Sequence, residues 1–566
     1  MNRLFDTHHV RPETDLGGVW DFVMEGVDKV YTMPVPGVWE QHPDFNIHRG
    51  VGTYTRTVYV KNDGNLRLEF KGVSHTADVF WDGKLVGHHY NAFTPFACIL
   101  KDVKEGNHTL SVKVDNRLVP DSALHIPNDY FTYGGIIRPV TLEEVPDVYL
   151  KWVHFTPVLT NGSWSGTTEV CLQNLSDTPA QITLTTTLAG VMGQKTVTVE
   201  AGATQVASFT AEYPEAKAWS SQDPQLYLLE ILLEGDDLQD DLIERVGFRT
   251  VTFDKRRLMV NGKPVFLKGF NRHEDIALMG CAMPLQMMAH DMDLMLDMGA
   301  NAVRTCHYPN DERFLDLCDQ RGMLVWEENH ARGQTLEQML NPNFQPQCEA
   351  CIQEMIEAHY NHPSIVIWGI LNECASDEPQ GREMYAKQYT QIKSLDGTRP
   401  TTHASNRYYK DICLDLPDIV SYNLYNGWYF NLSSQEELGK IVNWIQNETG
   451  GKDKPMIVSE FGAGAIYGHR DTAREKWSEE GQCDILEENI TTYLNNPKLT
   501  GMFIWMFADC RITGFRESQL FSQRPKTQNN KGVVDFYRRP KMAYDTVKKL
   551  FREDKGREQW ELQTRL

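Results

Sequence analysis

Ile365-Val366-Ile367-Trp368-Gly369-Ile370-Leu371-Asn372-Glu373 is an apolar run without polar alternation that ends in an amide and a carboxylate. Such a run suits a strand buried on both faces, as in a parallel sheet covered by helices. A Glu after a buried strand ordinarily ends in a solvated loop. A second run, Pro455-Met456-Ile457-Val458-Ser459-Glu460-Phe461-Gly462, ends the same way. In a parallel barrel all strand C-termini open onto one face, where active sites sit. Two Glu residues delivered there by different strands are the minimum equipment for cleaving a glycosidic bond.

Outward from these runs, residues 254–566 alternate strands and helices. The strand candidates are Pro264–Lys268, Asn301–Thr305, Met323–Glu327, Ile365–Leu371, Pro400–His403, Ile419–Asn423, Pro455–Ser459 and Gly501–Met506. Eight strand–helix units over roughly 300 residues predict a (β/α)8 TIM barrel. Between the first two strands, Met287 to Met298 places apolar residues three and four apart, a helix whose Met stripe reads as core filling rather than a cofactor box. The charged tail after Phe551 reads as a solvated helix end.

Residues 1–146 carry a β pattern. Leu66-Arg67-Leu68-Glu69-Phe70 alternates, and Asp82-Gly83 between Val79-Phe80-Trp81 and Leu85-Val86-Gly87 is a type I′ hairpin signal. Short strands separated by turns predict a β-sandwich. Asp129 to Arg138 is aromatic and glycine-rich without a clean period, and reads as a long loop of the kind that carries function. Residues 147–253 continue the β pattern at a shorter spacing, which fits an immunoglobulin-like sandwich with no catalytic cluster.

At 566 residues the chain needs two to four domains. The formal net charge of −21 argues against nucleic acid and against anionic membrane surfaces. That field is screened within about 8 Å, so a local cation can still bind an acid sugar by touching it. No signal-peptide core and no membrane span is present, and the eleven cysteines sit mostly in apolar segments. Reduced thiols in a cytoplasmic protein are the expectation. Cys348 and Cys351 form a CxxC within a helical pattern without a second pair, so neither metal nor cofactor is expected.

If the barrel forms, residues just past the strands line one cavity. Strand one gives Asn271, Arg272, His273 and Glu274. Strand two gives Arg304 and His307, and strand three gives Glu328, His330 and Arg332. Strand four gives Asn372 and Glu373, strand six Tyr425, Trp428 and Tyr429, strand seven Glu460, and strand eight Trp505 and Asp509. Polar groups and ring faces together suit a sugar. His403 reads as a hydrogen-bonded structural histidine. Of two facing carboxylates one must keep its proton and the other lose it. Asn372 adds no charge, so burial and the neighbouring anion raise Glu373, the expected acid/base. Arg304 keeps Glu460 ionised as nucleophile. Beyond strand eight, Arg524 to Gly532 reads either as a solvated basic loop or as an anion grip in which Asn and Lys hold a carboxylate.

These residues resemble glycoside hydrolase family 2. The order sandwich, immunoglobulin-like domain, barrel is that family's. So are Gly269 to Asp275, Asn301 to Pro309, the Asn372-Glu373 pair and Ser459-Glu460-Phe461-Gly462. The resemblance implies a jelly-roll, sugar-binding-like first domain, Glu373 as acid/base, Glu460 as nucleophile, and retention at the anomeric carbon by double displacement. Within the family the chain is most similar to bacterial β-glucuronidases. Their Asn-x-Lys loop matches Asn529-Asn530-Lys531, with Arg524 before it. Their Asn-x-Tyr-x-Gly-Trp-Tyr segment matches Asn423 to Tyr429. Their loop Asp, which contacts the sugar hydroxyls, matches Asp129. Where those enzymes carry a small apolar segment after strand three, this chain has Asn329-His330-Ala331-Arg332-Gly333, a His and an Arg that could change the C4 epimer accepted. The expectation is a β-D-glucuronide hydrolase, with β-galacturonidase or dual activity as the alternative, then β-galactosidase. A non-catalytic carbohydrate-binding barrel would have no use for both Glu residues. The site residues expected are Glu373 and Glu460 for catalysis, with Asp129, Asn372, Arg304, His307, Tyr425, Tyr429, Trp505, Arg524, Asn529, Lys531 and Arg332 around the sugar. A homo-oligomer, dimer or tetramer, is expected from the resemblance.

Overall fold

The computed structural model describes residues 2–514, 516–519 and 523–553. The charged tail from residue 554 onward lies outside the described residues.

Alternating patterns near the N-terminus form two antiparallel sheets. One contains Glu13–Asp15, Val140–Val145, Gly64–Phe70 and Phe96–Val103. The other contains Tyr31–Val35, Gly18–Met24, Val51–Val60, Gly106–Asp115, Thr76–Trp81 and Lys84–Tyr90. Trp20, Phe22, Tyr54, Leu68 and Val112 are buried in their shared core. Asp82 and Gly83 both take positive φ, 49° and 79°, in the hairpin between Thr76–Trp81 and Lys84–Tyr90, as a type I′ turn requires. A second pair of sheets spans Val148 to Val246 and encloses Leu150, Val170, Leu184 and Ile231.

The C-terminal part is a closed barrel of eight parallel strands. They are β1 (Leu267–Asn271), β2 (Ala302–Thr305), β3 (Leu324–Glu328), β4 (Ile365–Ile370), β5 (Thr401–Ser405), β6 (Val420–Asn423), β7 (Met456–Phe461) and β8 (Leu499–Ile504). Register runs from Phe270 beside Val303 round to Phe270 beside Ile504, which closes the ring. All six residues of β4 and all six of β7 are buried, as a strand under helices must be. Trp326, Ile367, Ile457 and Phe503 pack across the lower end, so the barrel is filled below and opens only at the C-terminal face. Met288, Met292, Met295 and Met298 join the core between helix and barrel. Cys348 and Cys351 sit buried in helix Phe344–His359, and every cysteine is a free thiol.

The fifth and seventh strands run two residues past their expected ends, and the first and eighth depart most. The first was placed at Pro264–Lys268, but Lys263–Val265 pairs antiparallel with Leu258–Val260 across a tight turn at Asn261 and Gly262. Both turn residues have positive φ, 52° and 71°. That hairpin takes Pro264 and Val265, and the barrel strand starts only at Leu267. The eighth strand begins at Leu499 and ends at Ile504, two residues before the expected ends.

The segment from Asn128 to Pro139 leaves the sandwich and covers the barrel mouth. It is buried almost without regular structure, so its polar groups need partners from other elements. Arg138 donates to Glu274 at 2.7 Å, the Tyr133 hydroxyl to Asp275 at 2.8 Å, and the Gly134 amide to Glu40 at 3.0 Å. These contacts bring Asp129 to the strand ends.

Candidate active site

A cavity of about 310 Å³ opens at the C-terminal face of the barrel. It is lined by Asp129 from the sandwich, Arg332, Glu373, Asn406, Tyr408, Tyr425, Tyr429, Phe430, Glu460, Trp505, Arg524 and Lys531. The volume lies at the small end of the ligand-pocket range. Glu373, just past β4, and Glu460, near the end of β7, meet here.

Glu460 is the more enclosed of the two acids, with a side chain 3% exposed against 14% for Glu373. One Glu460 oxygen accepts from Arg304 at 3.0 Å and the other from the Tyr425 hydroxyl at 2.7 Å. Burial and then Glu373 push its carboxyl up to about 7, against the downward pull of Arg304, Tyr425 and Arg332. The expectation that Arg304 simply holds Glu460 ionised is therefore corrected. Arg304 spreads its five N–H groups over Glu328 (2.9 Å twice), Asn271 (2.9 Å), Asn372 (2.8 Å) and Glu460. Only one reaches Glu460, because Glu328 takes two. None remains for a sugar, so Arg304 acts through Glu460 and Asn372 rather than on a ligand.

Glu373 follows β4 with φ 54°. Its side chain accepts from the Asn423 amide at 2.8 Å and lies 3.5 Å from Arg332. Asn372 takes Arg304 on its oxygen, which leaves its amide nitrogen buried without a partner. His307 bonds Glu328 through Nδ1 at 2.8 Å and stacks on Trp505 at 5.1 Å, and its Nε2 makes no hydrogen bond but lies 3.8 Å from Glu460. Burial, then Arg304, holds this imidazole neutral, well below the usual histidine range.

At the other end of the cavity Arg524 pairs with Asp129 at 2.6 and 3.1 Å, and Asn529 donates to Asp129 at 3.0 Å. Asn529 keeps an unpartnered buried oxygen. Lys531 is 2% exposed. Its ammonium donates to the Tyr429 hydroxyl at 2.9 Å and lies over the Tyr425, Trp428 and Tyr429 rings at 5.1 to 5.7 Å. It has no carboxylate partner among the described residues. Burial lowers its pKa. The Tyr429 hydroxyl also accepts from Arg524 at 3.1 Å. Burial would raise this phenol, but Lys531 and Arg524 outweigh it and the net shift is downward.

Of the strand-end residues expected there, Asn271, Arg272, His273, Glu274, Arg304, His307, Glu328, His330, Asn372, Trp428 and Asp509 do not line the cavity, and neither does Asn529. Arg272 turns outward to Asp291 at 3.0 Å, and Glu274 receives Arg138. Asp509 binds the Gly532 amide and Lys541, each at 2.8 Å, and so fixes the loop that carries Lys531. His403 bonds Tyr389 at 2.7 Å and Asp411 at 3.2 Å behind the wall. Asn406 and Tyr408 after β5, and Phe430, line the cavity but were not singled out from sequence. Their signal was the run Ser405-Asn406-Arg407-Tyr408-Tyr409, an amide and aromatics just past a strand. His8, Glu13 and Glu143, and Asp316, Asp319 and His362, each gather closely enough for a metal ion. Both groups lie outside the cavity, and arginines already occupy Glu143 and Asp316.

Comparison with known proteins gives three family matches in order along the chain. Residues 19–146 match the sugar binding domain of glycosyl hydrolases family 2, residues 148–249 a second domain of that family, and residues 251–554 its TIM barrel domain. A β-glucuronidase of Streptococcus agalactiae is 27% identical, covering 94% of this chain and 95% of its own. A solved β-galacturonidase from Eisenbergiella tayi is 48% identical over 98% of both chains with a TM-score of 0.95, and is also known bound to galacturonate. A β-D-glucuronidase structure from Dictyoglomus thermophilum is 26% identical over 98% of both chains, with a TM-score of 0.86.

Proposed function

Because this chain belongs to glycoside hydrolase family 2, we propose that it is a retaining exo-β-D-hexuronidase, releasing uronic acid from the non-reducing end of β-D-glucuronides. The observation that carries the reading is Lys531, a buried ammonium without a carboxylate partner among the described residues, in the same cavity as Glu373 and Glu460. Leaving a cation desolvated is costly unless an anion arrives. A uronate carboxylate supplies that anion. A hydroxyl-only sugar does not.

The chemistry follows from the contacts. Glu460 attacks the anomeric carbon while Glu373 gives its proton to the departing oxygen, and a glycosyl ester forms on Glu460. Glu373 then takes a proton from water, which attacks the same carbon and frees Glu460. Arg304 and the Tyr425 hydroxyl fix the two Glu460 oxygens. The buried nitrogen of Asn372 and the Nε2 of His307, which lies 3.8 Å from Glu460, make no hydrogen bond within the protein and are the groups assigned to hydroxyls of the sugar ring. No cofactor or metal enters these steps.

A second reading is favoured by two observations. The Eisenbergiella tayi β-galacturonidase is 48% identical, and the cavity wall carries Arg332. On that reading β-D-galacturonides, the C4 epimers, are cleaved as well or instead. Turnover of aryl β-D-glucuronide, β-D-galacturonide and β-D-galactoside with one common leaving group tests both. At least one uronide is expected to exceed the galactoside about tenfold or more, from a charge-assisted contact of roughly 1.5–3 kcal/mol. A galactoside turned over faster than both uronides ends the proposal.

Glu460 must be ionised to attack. Its carboxyl stands at about 7 in the free site, and kcat/KM reports free-enzyme groups. Thus kcat/KM falls as pH drops through about 7, approaching tenfold per unit, with the apparent midpoint belonging to the Glu460–Glu373 pair. A profile flat from pH about 7 down to about 5 would exclude this linkage.

The proposal extends to a homo-oligomer, dimer or tetramer, acting in the cytoplasm without nucleic acid or membrane partners. Eleven free cysteines, all buried, support a reducing compartment. Among the described residues no helix is long and apolar enough to cross a membrane.

A further inference from the structure

Asn128 stands next to Asp129 in the sandwich segment, is 2% exposed, and has no part in the chemistry above. Its backbone is locked to the loop after β8. The Asn128 amide donates to the Thr513 hydroxyl at 2.8 Å, and its carbonyl accepts from the Thr513 amide at 3.2 Å. Its side-chain oxygen then accepts twice, from the Asp129 amide at 3.0 Å and from Arg332 Nη1 at 2.8 Å. One carboxamide oxygen of the sandwich thus holds both a cavity-lining acid and a cavity-lining cation of the barrel.

Arg332 has little else to hold it. Its Nε is buried without a partner, and its Nη2 is 3.5 Å from Glu373, longer than a charge-assisted hydrogen bond. Asp129, Glu460 and Tyr130 are the other negative or ionisable groups acting on it. Its backbone is fixed, since Gly333 donates to the Asn372 carbonyl at 2.7 Å and Asn372 to that of Ala331 at 3.0 Å. His330 before it bonds the Tyr130 hydroxyl at 3.0 Å and packs edge-on to His125 at 4.4 Å. With the backbone pinned, the side chains recorded nearest the guanidinium are Asn128, at 2.8 Å, and Glu373, at 3.5 Å.

We infer that Asn128 is a positioning residue that draws Arg332 away from Glu373, so that the Glu373 carboxyl stays free to meet the leaving oxygen and Arg332 stays open to the sugar. This deepens the hydrolase reading above and rests on it. Without the Asn128 oxygen, Arg332 closes from 3.5 Å onto Glu373 and occupies the carboxyl oxygen that must face the departing group. The loss then depends on the leaving group. An alkoxide needs the proton, whereas a dinitrophenolate departs without one.

The test compares Asn128→Ala with the wild type on a methyl β-D-uronide and a 2,4-dinitrophenyl β-D-uronide of the same sugar. The expected result is a kcat about 10- to 100-fold lower on the methyl substrate, the range for a lost hydrogen bond to a charged group, with less than about threefold change on the dinitrophenyl one. Asn128→Asp keeps the acceptor oxygen and restores the methyl activity. Equal losses on both substrates, no loss on either, or no restoration by Asp overturns the inference. A wild type that hydrolyses neither uronide overturns the function itself, which is a separate outcome. Thermal unfolding of both variants identifies a loss caused by misfolding.

Discussion

Glu460→Ala is expected to lose about 10⁴-fold or more of uronide turnover, as removal of a nucleophile does, and to regain part of it in sodium azide. Azide enters the space left by the carboxylate and attacks the same carbon from the same face. The product is therefore the α-glycosyl azide, opposite in configuration to the β product that the wild type releases first. The variant is expected to fold, because Arg304 keeps its paired contacts to Glu328 and is not left as a lone buried charge. Tyr425 loses its acceptor, at a cost of about 1–3 kcal/mol for an unsatisfied buried group. Rates measured with and without azide, and the configuration of the azide product by NMR, decide the matter. Turnover like that of the wild type without azide would remove Glu460 from the mechanism.

Lys531→Ala is expected to lower kcat/KM for uronides by tenfold to more than a hundredfold, corresponding to about 1.5–3 kcal/mol for a charge-assisted contact. The matching β-galactoside, lacking the carboxylate, is expected to change by less than about threefold, since it forfeits only a neutral contact. The ratio of the two substrates is the readout. Stability offers a second check. Lys531 is buried, carries no carboxylate partner among the described residues, and has its pKa lowered by burial. Removing it relieves a desolvation cost, so the thermal midpoint is not expected to fall. A parallel loss on both sugars, with a lower midpoint, would assign Lys531 to packing against Tyr425, Trp428 and Tyr429 instead.

Much of this arrangement was legible because it is local. An uninterrupted apolar run is what a strand beneath helices requires, so β4 and β7 and the acids at their ends could be read directly. The hairpin at Asp82-Gly83 was legible for the same reason, since two residues must reach positive φ. The equivalent signal at Asn261-Gly262 was present but unread, and β1 was placed three residues early as a result. What stayed hidden depends on distances across the chain. Arg304 looks like a free cation in sequence, yet all of its N–H groups are spent on Glu328, Glu460, Asn271 and Asn372. Arg272 and Glu274 follow a barrel strand as the sugar-facing residues do, but Asp291 and Arg138 claim them first. Burial and the neighbouring anion were expected to act on Glu373, whereas Glu460 is the more enclosed acid and the one they push up. Periodicity says which side of an element is covered. It does not say by how much, or which neighbour reaches a charge first.

Asp129 belongs to the sandwich but helps wall the cavity of the barrel, and Asn128 beside it grips Arg332. Cut out alone, the barrel would keep both acids and lose a side of the pocket. Chimeras between relatives should therefore carry the two regions as a matched set. A mismatched pair would still assemble the reacting carboxylates while misjudging which sugar stands between them.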